Sequence, residues 1–217
     1  MTWLINNSPY FLHVFLYHLG LVIPALIISA VISLPLGWLA YKYPTGGAVI
    51  LQILQLAYVV PVLALLVLFP AIVGLPMRSP ITLVLTLSIY GVALLLRNTT
   101  SAFASVDKEN LDIAHACGYS PQQCFFRVHL PLALPVILAG FRVAAMSTIA
   151  MASTGALVGI PSLGSLLTDG FQRGLVGEVL VGIIAILILA VVMDVALFLV
   201  GSLLLPWSRV QKASSQL

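Results

Sequence analysis

The chain is 217 residues long, 61% hydrophobic and only 7% charged, with a formal net charge of +3. An ordinary soluble domain is roughly a quarter charged, so a mean hydropathy of +1.17 leaves too little polar surface to cover a water-soluble globule. A soluble enzyme and a disordered chain are excluded, and so is a nucleic-acid binder, because the Lys and Arg residues are scattered and form no patch.

The composition predicts an all-α integral membrane protein. Residues 1–18 mix Trp3, Tyr10, Phe11, Phe15 and Tyr17 with polar groups, the pattern of a helix lying at the membrane interface. The N-terminus carries no Lys or Arg and no small-residue cleavage site follows the first apolar stretch, so that stretch is expected to be retained. Five apolar segments are long enough to cross a bilayer, within a transmembrane domain spanning 19–207: Leu19–Tyr41, Val49–Val73, Ile81–Leu96, Pro131–Gly159 and Gly177–Leu205. Pro24, Pro35, Pro61 and Pro70 are expected to kink their helices, each lacking a backbone donor. An outside N-terminus puts Lys42, Arg97, Lys108, Arg127, Arg209 and Lys212 inside and only Arg78 and Arg173 outside. The positive-inside bias therefore predicts N-terminus out and C-terminus in. Residues 208–217 read as a polar tail on the inner side.

Residues 97–130 are the only sizeable polar stretch. Asp107, Lys108, Glu109 and Asp112 crowd its centre. Val106–Cys117 reads as a short helix that Ser105 or Asp107 can cap, and Gly118 follows where a left-handed residue is easiest for glycine. Ser120, Pro121 and Gln123 then form the N-cap, N1 and N3 of a capping box. The second helix is expected to end near Leu130-Pro131, where the next span begins. Helix, glycine turn, helix is more order than a bare connector needs, and suits docking to a protein partner.

These residues carry a resemblance. Asp112-Ile113-Ala114, three residues, Gly118, nine residues, then Val128-His129-Leu130-Pro131 resembles the EAA motif of binding-protein-dependent ABC import permeases: Glu-Ala-Ala, three residues, Gly, nine residues, Ile-x-Leu-Pro. Asp112 replaces Glu and keeps its charge; Ile113 replaces Ala and adds bulk. Val60-Pro61 followed by Leu63-Ala64-Leu65, Leu95-Leu96-Arg97-Asn98-Thr99, Gly118-Tyr-Ser-Pro, the run from Leu130 to Arg142, and Gly159-Ile-Pro-Ser-Leu-Gly164 resemble the branch that imports glycine betaine, carnitine and choline. The resemblance reaches from about residue 57 to 206.

It implies a MetI-like permease of the bacterial cytoplasmic (inner) membrane, paired with a second permease copy, identical or related. It also implies two ABC ATPase subunits that bind ATP and Mg, and a separate extracytoplasmic binding protein. Asp107, Lys108, Leu111, Asp112, Ala114, His115 and Gly118 are the residues expected to couple to the ATPase. A permease for methionine or another small amine is the alternative within transport; an ATPase-independent channel or scaffold is the alternative outside it.

No Gly-x-x-x-x-Gly-Lys-Ser/Thr loop occurs, so hydrolysis of ATP falls to a partner and the chain is not itself expected to be an enzyme or to bind a cofactor. Cys117, Cys124 and His115 do not make a zinc set, and no metal is expected. Arg142 and Asp194 are charges within spans, where partners are usual. Each sits 11 residues from the inner end of its span, roughly 16 Å deep at about 1.5 Å per residue, so a pair between successive spans is expected. Tyr58, Pro61, Ser147, Thr148 and Thr154 are candidates to line the translocation path. For the hydroxyls, and for Ser153, helix packing is the competing reading. Tyr58 and Tyr90 alone make no aromatic cage. Asp169, Arg173 and Glu178 are expected to be solvated on the outer side, with contact to the binding protein as the alternative.

Overall fold

The computed structural model describes residues 7–206. Trp3 and the tail 208–217, with Arg209 and Lys212, lie outside the described residues. Every regular element among those described is helical. In chain order they are α1 (Ser8–Lys42), α2 (Pro44–Val59), α3 (Val62–Val73), α4 (Pro80–Ala104), α5 (Lys108–Ala116), α6 (Pro121–Cys124), a π-turn (Phe125–His129), α7 (Leu130–Ala152), a 3-10 turn (Ser153–Val158), α8 (Gly164–Arg173) and α9 (Val176–Leu204). Four helical stretches are long and apolar enough to cross a membrane singly, and the pair α2–α3, bent by 111°, brings the count to five when taken together as one broken span.

Three expectations need correction. The interfacial helix over 1–18 has no separate existence after residue 7, because α1 runs unbroken through residues 18 and 19. Phe11, Phe15 and Tyr17 turn inward against the main apolar core, so residues 8–18 are the first turns of a spanning helix. The third span does not stop at Leu96. It continues to Ala104, because Thr99, Ala102 and Phe103 are buried against neighbouring helices and this burial outweighs their modest helix propensity. The helix after Ser120 does not end at Leu130-Pro131 either. Residues 121–158 pass through the π-turn as one helical path. The backbone N–H of Leu130 donates to the carbonyl of Phe125, five residues back. That wider turn relieves the clash between the Pro131 ring and the carbonyl four residues earlier.

Proline does not act uniformly. Pro24 and Pro35 sit inside α1 and Pro70 inside α3 without breaking them. Pro61 ends α2 outright. Val60 before it is extended, with ψ 128°, as a residue preceding proline prefers.

The central helix is α4, buried on several faces by α1, α7 and α2. Close approach depends on small residues: a Cβ at Gly140 of α7 would collide with the Asn98 carboxamide of α4. The hydroxyl of Ser29 on α1 donates to its own helix at the Ala25 carbonyl, 2.7 Å away, and to the Ser88 carbonyl of α4 at 3.2 Å. Two apolar clusters result. The larger joins α1, α3, α4, α7, α8 and α9. The smaller, around Ala102, Phe103, Val106, Ala133 and Ile137, sits under the polar loop.

Candidate functional site

The polar loop is built from the local signals that its sequence carries. Asp107 takes the N-cap position of α5 but its side chain makes no capping bond. Ser105 closes the preceding helix instead, its hydroxyl donating to the Ala102 carbonyl at 2.8 Å. Gly118 has φ +82°, a left-handed conformation that glycine adopts at no steric cost. Its N–H donates to the His115 carbonyl and that of Tyr119 to the Ala114 carbonyl, closing the end of α5. The Ser120 capping box is complete: the Gln123 N–H donates to the Ser120 hydroxyl, and the Ser120 N–H to the Gln123 carboxamide oxygen at 2.9 Å.

The seven loop residues singled out from the sequence divide into two faces. Asp107, Lys108, Asp112, His115 and Gly118 are exposed. Ala114 is buried and Leu111 half-buried against the cluster beneath, so these two anchor the helix and do not face outward. Two exposed apolar side chains were missed: Ile113 on α5 and Phe126 on the π-turn. Ile113 had been visible only as a departure from the family pattern.

Beneath the loop lies a cluster of rings that sequence reasoning also missed. Trp38 and Tyr41 of α1, Phe103 of α4, and Phe125 and His129 of the π-turn meet with ring centroids 4.4–6.3 Å apart. The His129 Nε2 stands 2.9 Å from the Phe103 carbonyl. Facing a carbonyl, that nitrogen carries the proton and donates.

Arg142 and Asp194 do pair. Nε donates to Oδ1 at 2.7 Å and Nη2 to Oδ2 at 2.6 Å, a bidentate contact that ties α7 to α9. The guanidinium also lies 5.3 Å from the Phe198 ring centre. The charges satisfy one another where lipid cannot.

The path candidates separate. Tyr58, 38% exposed, stands with its ring centre 5.7 Å from that of Tyr90 in an edge-on contact. The Tyr90 hydroxyl donates to the Val60 carbonyl, a group freed by the break at Pro61. The cleft between this bent pair, α1 and α4 is apolar, about 510 Å³, and lined by Ile28, Ile50, Ile53, Phe69 and Ile89 among others. Pro61 is exposed, and Ser147 and Thr154 are half-buried. Thr148 is withdrawn from any open path: it is buried, and its hydroxyl donates to the Ala144 carbonyl of its own helix. Packing is its role.

At the end opposite the loop, α8 is an unpredicted short helix. Asp169 on it accepts a hydrogen bond from Tyr10 at 3.0 Å. Glu178, expected in solvent, is 1% exposed, because Gly170 lets the first turn of α9 close against α8. His18, buried in α1, accepts the Leu163 N–H at 3.3 Å and pins the loop before α8. Among the described residues no group of three His, Cys, Asp or Glu side chains converges on a metal-sized site.

Four spans, one of them bent beside an apolar cleft, surround the central α4, and an ordered polar loop stands at one end, the build of a membrane-embedded subunit. Comparison with known proteins makes this specific. Residues 29–209 match the family described as binding-protein-dependent transport system inner membrane component. A carnitine transport permease protein, OpuCD, of Listeria monocytogenes is 32% identical over 194 residues, covering 88% of this chain and 85% of the relative. An ergothioneine transport permease and binding protein, EgtU, of Helicobacter pylori is 32% identical over 159 residues. That match covers 73% of this chain but only 28% of the relative. Among solved structures, an inward-facing MetNI methionine ABC transporter superposes with TM-score 0.75 at 20% identity, over 90% of this chain and 96% of that one; this likeness speaks to fold alone. The chain belongs to the binding-protein-dependent transport system inner membrane component family. It is a permease of an ABC importer in the inner membrane, which sets aside the channel and scaffold readings.

Proposed function

We propose that the cargo is a solute bearing a quaternary trimethylammonium group, of the compatible-solute class. What carries this is the set of relatives named for such solutes; Tyr58, 38% exposed at the break in the second span, offers one aromatic face there. Aromatic faces attract quaternary ammonium groups, and discontinuous helices are where membrane transporters place substrate contacts. The relatives are named for carnitine, for glycine betaine, carnitine and choline together, for choline, and for ergothioneine, all of them trimethylammonium compounds. Tyr58, Pro61, Ser147 and Thr154 line the passage in this reading. The contact is weak by design, since a tight site would retard release, and selection rests mainly with the binding protein.

The remaining machinery follows the same reading. The N-terminus is outside and the C-terminus inside, so the polar loop faces the cytoplasm. Asp107, Lys108, Asp112 and His115 meet the ATPase there, with Gly118 setting the angle of α5. Two ATPase subunits bind ATP and Mg, and this chain binds no cofactor. A second permease, the same chain or a related one, completes the passage, and a separate binding protein delivers the solute.

The test is uptake in a bacterium stripped of its own osmoprotectant uptake, expressing this chain with its ATPase and binding protein. Radiolabelled glycine betaine, choline, carnitine and ergothioneine are offered in parallel. Uptake of at least one, lowered by Tyr58→Ala with binding-protein affinity unchanged, supports the proposal. Uptake of methionine and of none of these overturns it.

A further inference from the structure

We propose that His129 is a positioning residue: it clamps the two ends of the polar loop together, so that a displacement of α5 reaches α1, α4 and α7 as motion of one body. The inference rests on the reading that the loop meets the ATPase.

The loop leaves α4 at Ala104 and rejoins the membrane helices at Leu130. Its two ends differ in stiffness. On the C-terminal side, α6, the π-turn and α7 form a continuous helical path. On the N-terminal side, residues 105–107 separate α4 from α5 without helical structure. That joint alone would let α5 swing without moving α4. His129 bridges it. Phe103 lies in the last turn of α4, where carbonyls lack an intrahelical donor, and the His129 Nε2 supplies one at 2.9 Å across 26 residues of sequence.

The imidazole is held in turn. Trp38, Tyr41 and Phe103 surround it edge-on, at 5.0, 5.1 and 5.4 Å between ring centres and interplanar angles of 84–87°. Trp38 also packs on Phe125 at 4.4 Å. Val106 from the joint is buried in this cluster and Leu111 of α5 packs on it. The ring cluster therefore contacts both sides of the loop and the inner end of α1. A buried hydrogen bond inside a packed cage resists displacement, because breaking it would leave both polar groups unpaired and open a void between the rings.

The experiment uses the assembled transporter in lipid nanodiscs with its binding protein. His129→Phe keeps an aromatic ring and removes the donor; His129→Gln keeps a donor. The readouts are basal ATP hydrolysis and its stimulation by the binding protein, which must cross the spans from the outside. In His129→Phe, basal hydrolysis stays unchanged while stimulation falls about five-fold or more, the low end of ordinary coupling between sites. His129→Gln restores most of it. Stimulation of His129→Phe at the wild-type level overturns the proposal. So does equal loss in His129→Gln, since packing would then be the whole effect. If His129→Phe does not fold, His129→Leu takes its place with the same two outcomes; Trp38→Leu, which leaves the donor in place, keeps more stimulation than either, and a loss as large as theirs overturns the proposal. The docking reading has its own control. Cys117 is an exposed free thiol on the loop, and a thiol crosslinker attached there captures the ATPase in wild type. Failure of that capture overturns the docking reading, whereas capture with normal stimulation in His129→Phe overturns the clamp alone.

Discussion

The bent second span and the base of the polar loop solve the same problem in opposite ways. Each has a proline near an irregular stretch of helix, and each leaves a carbonyl that a side chain of another helix takes up: Val60 by the Tyr90 hydroxyl, Phe103 by His129. Their surroundings differ. Around the bend, Leu56, Val59, Ile72 and Val73 stand exposed on the subunit and an apolar cleft opens behind them. At the loop base, five rings from three segments close over the bond. A break with few packed neighbours opens at low cost; a buried one moves only with its neighbours. The subunit thus has a lightly packed bend beside its cleft and a densely packed joint under its loop.

The contrast is broken most severely by Gly118→Val. Space is not the obstacle, since nothing lies within 4 Å of a Cβ there. The obstacle is φ +82°, which costs a β-branched residue about 1–2 kcal/mol or more. The turn then reorients α5 and detaches the densely packed joint from its driver. Solute uptake drops at least about ten-fold, by the usual conversion of free energy to rate, while the chain still inserts. Gly118→Asn, tolerated in left-handed backbone, loses much less. Equal uptake by the Val variant and wild type would refute the backbone argument.

Arg142 and Asp194 come next. Arg142→Leu or Asp194→Leu alone strands a charge between α7 and α9, and less folded protein is recovered from membranes, read by detergent size-exclusion fluorescence. Replacing both with Leu, or exchanging them, recovers more than either single change. A double variant no better than the singles contradicts the pairing.

Tyr90→Phe sharpens the contrast from the other side. It leaves the Val60 carbonyl without its donor, costing about 1–3 kcal/mol, and the cost stays at the bend. Amide exchange over residues 57–64 accelerates, while residues 125–130 exchange as before. Acceleration at both regions would mean that they are one unit.

Much of this was legible in the sequence, for reasons of range. The Ser120 capping box and the Gly118 turn are set by residues within a few positions of one another, and both are as expected. The Arg142–Asp194 pair was reachable because a charge in a span has so few possible partners. The polar loop's ring cluster was not: Trp38, Phe103 and His129 lie far apart in sequence, and each reads singly as an ordinary apolar or interfacial residue. The one available signal was the aromatic and histidine density around residues 125–129, next to a proline. Glu178 was misjudged because its burial depends on Gly170 in another helix. The 111° bend was underestimated because proline alone does not decide it; Pro24 and Pro35 sit in a helix that α4 supports along its length, and the helices flanking Pro61 pack on α4 far less extensively.

The smallest effect expected is the most discriminating. Ser120→Ala removes one half of the capping box, a loss of about 1 kcal/mol, from a helix of only four residues. Were the loop a chain of independent turns, fraying would spread through the π-turn to Leu130. The clamp predicts otherwise. His129 and Phe125 are fixed by α1 and α4, not by α6, so amide exchange accelerates over residues 120–124 and stops there. Exchange that accelerates equally over 125–130 would show that the joint depends on the loop's own helices. A sharp boundary at Phe125 would place the origin of its stiffness in the ring cluster.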